Sequence, residues 1–266
     1  MARGGSYVAG MARRYALRDD QWDRIKDLLP GRPGQVGRNA KDNRLFVEAV
    51  LYRYRAGIAW RDLPERFGDF RVVHLRHSRW SKSGVWRRVF EALAVEADNE
   101  YVMIDSTIVR AHQHSAGPKK GGGEQSHQAI RRSRGGLSTK IHATVDALGN
   151  PAGVYLTPGQ AHDLEGADVL LKDTPAAVVI ADKVYDAHAR LIEPLQQAGS
   201  SVVIPPRRTA RKPQRTCDRD LYKARHLIEN FFARLKQYRS IATRYDKTAR
   251  NFPGAIHLAA AVIWLI

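Results

Sequence analysis

Two short apolar runs, each ending in aspartate, constrain the second half of the chain more than any other feature. Tyr101-Val102-Met103-Ile104-Asp105 reads as a buried strand with a carboxylate at its end, and so does Ala176–Ala181 running into Asp182. Thr139–Asp146 and Ala152–Thr157 give two more strands around the turn Leu148-Gly149-Asn150-Pro151. Helices are expected over His162–Leu171 and Asp186–Ala198, a fifth strand over Ser201–Ile204, and a long helix over Leu221–Tyr238. Ser106–Leu137 reads as a loop rich in Gly, Lys and Arg. The first part of the chain has a different period. Helices are expected from Asp19-Asp20-Gln21-Trp22, from Asp42 or Asn43, after Trp60, over Arg71–Ser81 and over Gly84–Ala94. Pro30-Gly31-Arg32-Pro33-Gly34 interrupts the first two.

Three hairpin-linked strands followed by alternating helix and strand is the order of the ribonuclease-H-like fold. The expectation is an α/β protein, with a mixed-sheet catalytic domain preceded by an all-α helix-turn-helix domain. The boundaries are a disordered lead at 1–15, a helical domain at 16–97 and a catalytic domain at 98–266. That topology makes the first and fourth strands neighbours, so Asp105 and Asp182 converge. A single strand-end Asp is more often a turn or cap residue. Two on adjacent strands favour chemistry. Cutting a phosphodiester calls for an activated water and a stabilised oxyanion, which two divalent ions held by carboxylates supply.

The charge fits such a substrate. Lys plus Arg number 44 against 27 Asp plus Glu, a net +17 that attracts polyanions. Nucleic acid, ribosomal RNA and a membrane surface are the candidate partners. No stretch pairs a cationic face with a bare apolar one, and the apolar run His257–Ile266 is too short to span a bilayer. Cys217 alone makes neither an intrachain disulfide nor a zinc–thiolate site, which points to a reducing compartment. His112, His114, His142 and His162 lack the spacing of zinc ligands. Arg71–Lys82 is the expected recognition helix, with Arg71, His74, Arg76, Arg79 and Lys82 as candidate DNA contacts. Trp60, Trp80 and Trp86 are expected in the core. The basic loop Ser115–Arg134 either tracks a DNA backbone or has no fixed structure.

Tyr222, Arg225, Glu229 and Lys236 fall within about 60° of one another on a helix. Leu227, Ile228, Phe231, Phe232 and Leu235 form the adjoining apolar stripe. A solvated charged face explains the Arg225–Glu229 pairing but not Tyr222 and Lys236 on the same line.

The spacing Tyr222-x2-Arg225-x3-Glu229-x6-Lys236 resembles the signature of bacterial insertion-sequence DDE transposases, in particular the "IS five" family. Met103–Thr107, Gly135–Ala143, Asp42–Val50, Trp60–Pro64 and Arg79–Trp86 support the resemblance, which runs from about residue 16 to the end. It implies that Asp105, Asp182 and Glu229 hold two Mg2+ ions, with Mn2+ able to substitute. It implies that Tyr222, Arg225 and Lys236 bind DNA near the scissile phosphate, and Lys140 is a further expected contact. The implied function is binding of the element's terminal inverted repeats, then strand cleavage and strand transfer. The partners would be double-stranded DNA at the element ends and target, and further copies in a homodimer or larger assembly. No membrane is involved, and the place would be the bacterial cytoplasm at the nucleoid.

Val184 departs from the family's Asp-Lys-Gly-Tyr-Asp, where glycine implies a backbone with positive φ. It is the sequence support for one alternative, a catalytically inactive DNA-binding repressor. A plain nuclease of the same fold is the other. Asp186 is expected to cap the helix that follows it. Met11 is as good a start as Met1, and Lys119–Gly122 coincides with the place where relatives fuse two frames.

Overall fold

The computed structural model describes residues 15–34, 39–115, 129–133, 135–172, 174–207, 216–248 and 250–266. Most of the expected lead, with Met11, and residues 116–128 of the basic loop lie outside the described residues.

The amino-terminal part is helical: α1 (Asp19–Ile25), α2 (Asn43–Ala56), α3 (Phe70–Lys82) and α4 (Val85–Ala94). Local chemistry fixes the ends. The Asp42 carboxylate accepts the Leu45 N–H at 2.8 Å and starts α2, and Gly57 ends it in the left-handed region at φ 75°. Asp69 caps α3 through the Arg71 N–H. Residues 57–69 join α2 to α3 and hold two 3-10 turns, whereas only Ser83 and Gly84 separate α3 from α4.

The rest is a mixed sheet with helices on both faces. Its strands are β1 (Tyr101–Ala111), β2 (Arg131–Ser133), β3 (Gly136–Val145), β4 (Pro151–Pro158), β5 (Val178–Ala181), β6 (Ser201–Val203) and β7 (Thr243–Arg244). The helices are α5 (Asp163–Leu170), α6 (Glu193–Gln197), α7 (Arg219–Lys223), α8 (His226–Lys236), α9 (Arg239–Ala242) and α10 (Asn251–Trp264). Across the sheet the order is β4-β3-β1-β5-β6. The first three strands are antiparallel and the last two run parallel to β1. This is the ribonuclease-H-like arrangement expected from the element order.

Three expectations are corrected. The first strand does not end at Asp105. It continues to Ala111, because Ser106–Arg110 pair with β3 from Ser138 to His142. Only Val109 and Ala111 of this extension are buried, so a mixed polar and apolar stretch hides a half-exposed strand. The long carboxy-terminal helix is two helices, broken at Ala224-Arg225 by i→i−3 bonds. There the His226 ring donates from Nδ1 to the Lys223 carbonyl at 2.9 Å and takes that carbonyl out of the helical ladder. Asp186 caps no helix. It accepts the Arg207 N–H at 2.8 Å, and the next helical turn opens at Ala187 without a side-chain cap.

β1 separates two apolar layers. Val102 and Ile104 face Leu164 and Ala167 of α5, with Leu191, Ile192 and Leu195. Met103 and Val109 face the layer that holds Ile228, Phe231 and Leu235 of α8 and most of α10. The same layer runs on into Val47, Val50, Tyr54, Trp80, Trp86 and Phe90, so the helical segment and the sheet share one core. Each buried Leu, Ile or Phe contributes about 1.5–3 kcal/mol. α10 touches α3 at Gly254, where a Cβ would lie 2.4 Å from Ser81 Oγ. Trp80 and Trp86 are buried as expected. No helix among the described residues is long and apolar enough to cross a membrane.

Candidate active site

Register builds the site. Ile104 pairs with Ala181 in the parallel β1–β5 ladder, so the next residues, Asp105 within β1 and Asp182 just beyond the end of β5, stand side by side. Beyond that point β5 ends, and β1 regains a partner on that side only at Arg110, opposite Thr243 of β7. Residues 105–109 therefore carry an open edge, at the carboxyl end of the parallel strands where open α/β sheets bind ligands. Asp105 lies on the Met103 face of β1, the face that α8 covers.

The α7–α8 joint supplies Arg225. Its Nη2 lies 2.6 Å from Glu229 Oε1 and 3.4 Å from Asp105 Oδ2, and its Nη1 lies 3.9 Å from Asp182 Oδ2. One guanidinium thus gathers three carboxylates from three separate elements. The Tyr222 hydroxyl donates to Asp182 Oδ1 at 3.4 Å. The remaining oxygens are held by the backbone: the Ser106 N–H bonds Asp105 Oδ1 at 2.8 Å, and the Lys183 N–H bonds Asp182 Oδ1 at 2.6 Å. Burial pushes the Asp105 carboxyl above its ordinary value, against the pull of the Ser106 amide and Arg225. Burial opposes the charge on Arg225, but the Glu229 bond and the field of Asp105 and Asp182 outweigh it and raise its pKa.

A second cluster lies on the opposite face of β1. Ser106 Oγ donates to Asp163 Oδ1 at 2.5 Å, and Lys140 Nζ donates to the same oxygen at 2.9 Å and to Ala161 O at 2.6 Å. Lys140, expected as a DNA contact, is therefore buried and already ion-paired. Strand pairing explains this, because Lys140 stands opposite Ile108 on the face covered by α5. Asp163, unassigned in the sequence reading, joins the neighbourhood of Asp105. Its only signal was its place as the first residue of a helix after a strand. The Tyr185 hydroxyl is buried without a hydrogen bond. Burial first, then the charges of Asp163 and Asp105, push it well above its usual range.

The remaining candidates divide. Lys236 is exposed at the carboxyl end of α8, about 10 Å along the helix from Glu229. Arg71, His74, Arg79 and Lys82 are exposed on α3, and Arg71 is held by Asp69 at 2.7 Å. Val72 and Leu75, missed in the sequence, are 64% and 51% exposed on the same helix. Arg76 turns inward. It bonds Asn43 and lies over the rings of Phe46 and Trp80, at 4.2 and 4.6 Å, so aromatic packing rather than solvent takes its charge.

The profile of the family described as "Transposase DDE domain" matches residues 97–264, and that of "Putative transposase of IS4/5 family" matches residues 17–90. The chain belongs to the DDE transposases. Its relatives include an uncharacterised protein of Sinorhizobium fredii, 50% identical over 115 residues, which are 42% of this chain and 90% of that one. A "Putative transposase for insertion sequence element IS6501" of Brucella ovis is 44% identical over 132 residues, 48% of this chain and 99% of the relative. Among solved structures, the "Mos1 transposase paired-end complex with left transposon end" aligns over 87% of this chain and 80% of that one, at 11% identity and a TM-score of 0.24. At that score the fold rests on the strand order alone.

The transposase carries Val184 without strain. Positive φ among its described non-glycine residues occurs only at Tyr15 and Ala129. Lys183–Tyr185 is an ordinary 3-10 turn that any L-residue can adopt, held by Arg207 through the Lys183 and Val184 carbonyls. The sequence argument for an inactive repressor loses its physical basis.

Proposed function

We propose that Asp105, Asp182 and Glu229 are the catalytic carboxylates of this transposase, and that residues 98–266 cut and rejoin DNA while residues 16–97 bind the element ends. The observation that carries the reading is the single guanidinium reaching all three acids, one from β1, one from the turn after β5 and one from α8. The donor set is all oxygen, which fits a hard divalent cation such as Mg2+. Among the described residues no three acidic or imidazole groups enclose a cation unaided. Arg225 stands between them, and the three carboxylates would hold the ion once it moves. When bound, Mg2+ would supply Lewis acidity to the phosphoryl group.

The protein's own groups do the rest. The Ser106 and Lys183 amides fix the two aspartates, and Tyr222 orients Asp182. Arg225 and Lys236 offer cations to the phosphates beside the reacting one. Water attacks at the element end, one P–O bond forms as another breaks, and the leaving 3′-oxygen takes a proton. The freed 3′-hydroxyl then attacks target DNA in a second in-line displacement. The exposed cations of α3 would meet double-stranded DNA, and pairing two ends calls for a dimer or larger assembly at the nucleoid.

The test is cleavage of a labelled duplex carrying the element's own end, in Mg2+, with wild type and Glu229→Gln. Nicking at the end should fall by at least about a hundredfold in the variant, with duplex binding retained. Equal nicking by both proteins would remove Glu229 from the site.

A further inference from the structure

The aspartate oxygens that Arg225 faces are the ones left without a backbone donor. Asp105 Oδ1 is occupied by the Ser106 N–H, and Asp182 Oδ1 by the Lys183 N–H and the Tyr222 hydroxyl. The oxygen on each aspartate that accepts no backbone N–H is Oδ2, and both Oδ2 atoms lie by the Arg225 guanidinium, at 3.4 and 3.9 Å. The third acid, Glu229, is engaged by the same Nη2 at 2.6 Å. Among the described residues no other Lys or Arg forms an ion pair with these three carboxylates. Mg2+ binds oxygen at about 2.0–2.1 Å, so an ion shared by the two Oδ2 atoms would lie where the guanidinium lies. Two cations cannot occupy that space in a half-buried cleft.

We propose that Arg225 is the resident counter-ion of the carboxylate cluster, and that it must leave for a DNA phosphate before a divalent cation can enter. The proposal rests on the reading of Asp105, Asp182 and Glu229 as cation-holding carboxylates. Its position suits the exchange. Arg225 sits in the turn between α7 and α8, so its side chain can swing while the apolar face of α8 stays packed. A guanidinium binds phosphate oxygens in the same forked geometry that it uses for carboxylates. Linkage then runs both ways: a phosphate that draws Arg225 away strengthens cation binding, and a bound cation frees Arg225 for phosphate. Without DNA the site holds a cation weakly and stays chemically silent. With DNA the substrate itself completes it.

The measurement is Mn2+ binding to the full chain without DNA, read from the electron paramagnetic resonance signal of free Mn2+. Wild type, Arg225→Gln, Asp105→Asn and the Arg225→Gln/Asp105→Asn double variant are compared. Arg225→Gln should bind at least tenfold more tightly than wild type, and the double variant should lose that gain. Equal or tighter binding by wild type, lost in Asp105→Asn, would overturn the exchange and leave the metal site standing. No Asp105-dependent binding in either wild type or Arg225→Gln would overturn the metal-site reading and the exchange together. A measurement on wild type alone covers the case in which Arg225→Gln does not fold. The Arg225 Nε–H resonance of 15N-arginine-labelled protein should move on adding a short duplex without metal, and move further in the same direction when Mg2+ is then added to that complex. A resonance indifferent to both would also sink the proposal.

Discussion

Val184 is the residue whose role changes most between sequence and structure. A family glycine predicts a left-handed backbone, and the valine adopts an ordinary 3-10 turn instead. Val184→Gly should therefore leave Mg2+-dependent nicking within about threefold of wild type, since no strain is there to relieve. A tenfold gain would show that the valine does restrain Asp182. His77 makes a second prediction. Trp86 Nε1–H donates to His77 Nδ1 at 3.2 Å, so the proton sits on Nε2 and goes to the Tyr54 hydroxyl, also at 3.2 Å. The Tyr54 hydroxyl donates in turn to Asp246 Oδ2 at 2.9 Å. Burial, then the Arg53 charge, lower the His77 pKa to about 3, and burial lowers that of His142 to about 4. Between pH 6.5 and those values the unfolded chain binds the protons that the folded chain refuses. Stability therefore falls on acidification across that window, by up to about 1.4 kcal/mol per pH unit for each histidine. In urea unfolding across pH, His77→Asn should cost about 1–3 kcal/mol at pH 7 and flatten the acid slope. An unchanged slope would mean that His77 is already charged in the fold.

Among the elements, α3 separates two kinds of arginine that its sequence presents as equals. Arg79→Ala should weaken binding to an end-bearing duplex several-fold in a mobility-shift assay while leaving the melting temperature in place. Arg76→Ala should lower the melting temperature by several degrees, through lost packing on Phe46 and Trp80. The reverse pattern would place the DNA face on the other side of the helix. Helical period made α2, α3 and α4 readable, and apolar runs gave the first four residues of β1 and all of β5. Legibility failed where polarity and structure part company. The second half of β1, Ser106–Ala111, mixes polar and apolar residues without a two-residue period and so does not stand out. At the α7–α8 break a histidine ring takes the Lys223 carbonyl, which periodicity does not reveal, and Lys140 is buried by a strand pairing between distant segments. At the site, Asp105, Asp182 and Glu229 could be singled out because strand ends and helix spacing are local. Asp163 and Ser106 could not, because their relation to Asp105 exists only after the sheet has formed.

For the whole molecule, the +17 charge makes salt the strongest handle on DNA affinity. If six to ten phosphates are neutralised, binding should drop by about 10³–10⁵-fold between 50 and 200 mM salt, with little dependence on duplex sequence. A flat salt profile would assign recognition to base contacts rather than to charge. The shared core has a consequence in time. Gln21 of α1 bonds the Leu265 carbonyl, and α10 covers apolar residues of α3 and α4 that were made more than 150 residues earlier. At about 5–20 residues per second, synthesis of that interval takes roughly ten seconds or more. Until then the apolar flank of the amino-terminal helices lacks its α10 cover, so a chain cut before Asn251 should be cleaved by proteases faster than the full chain. The helical segment and the sheet are completed together, by α10.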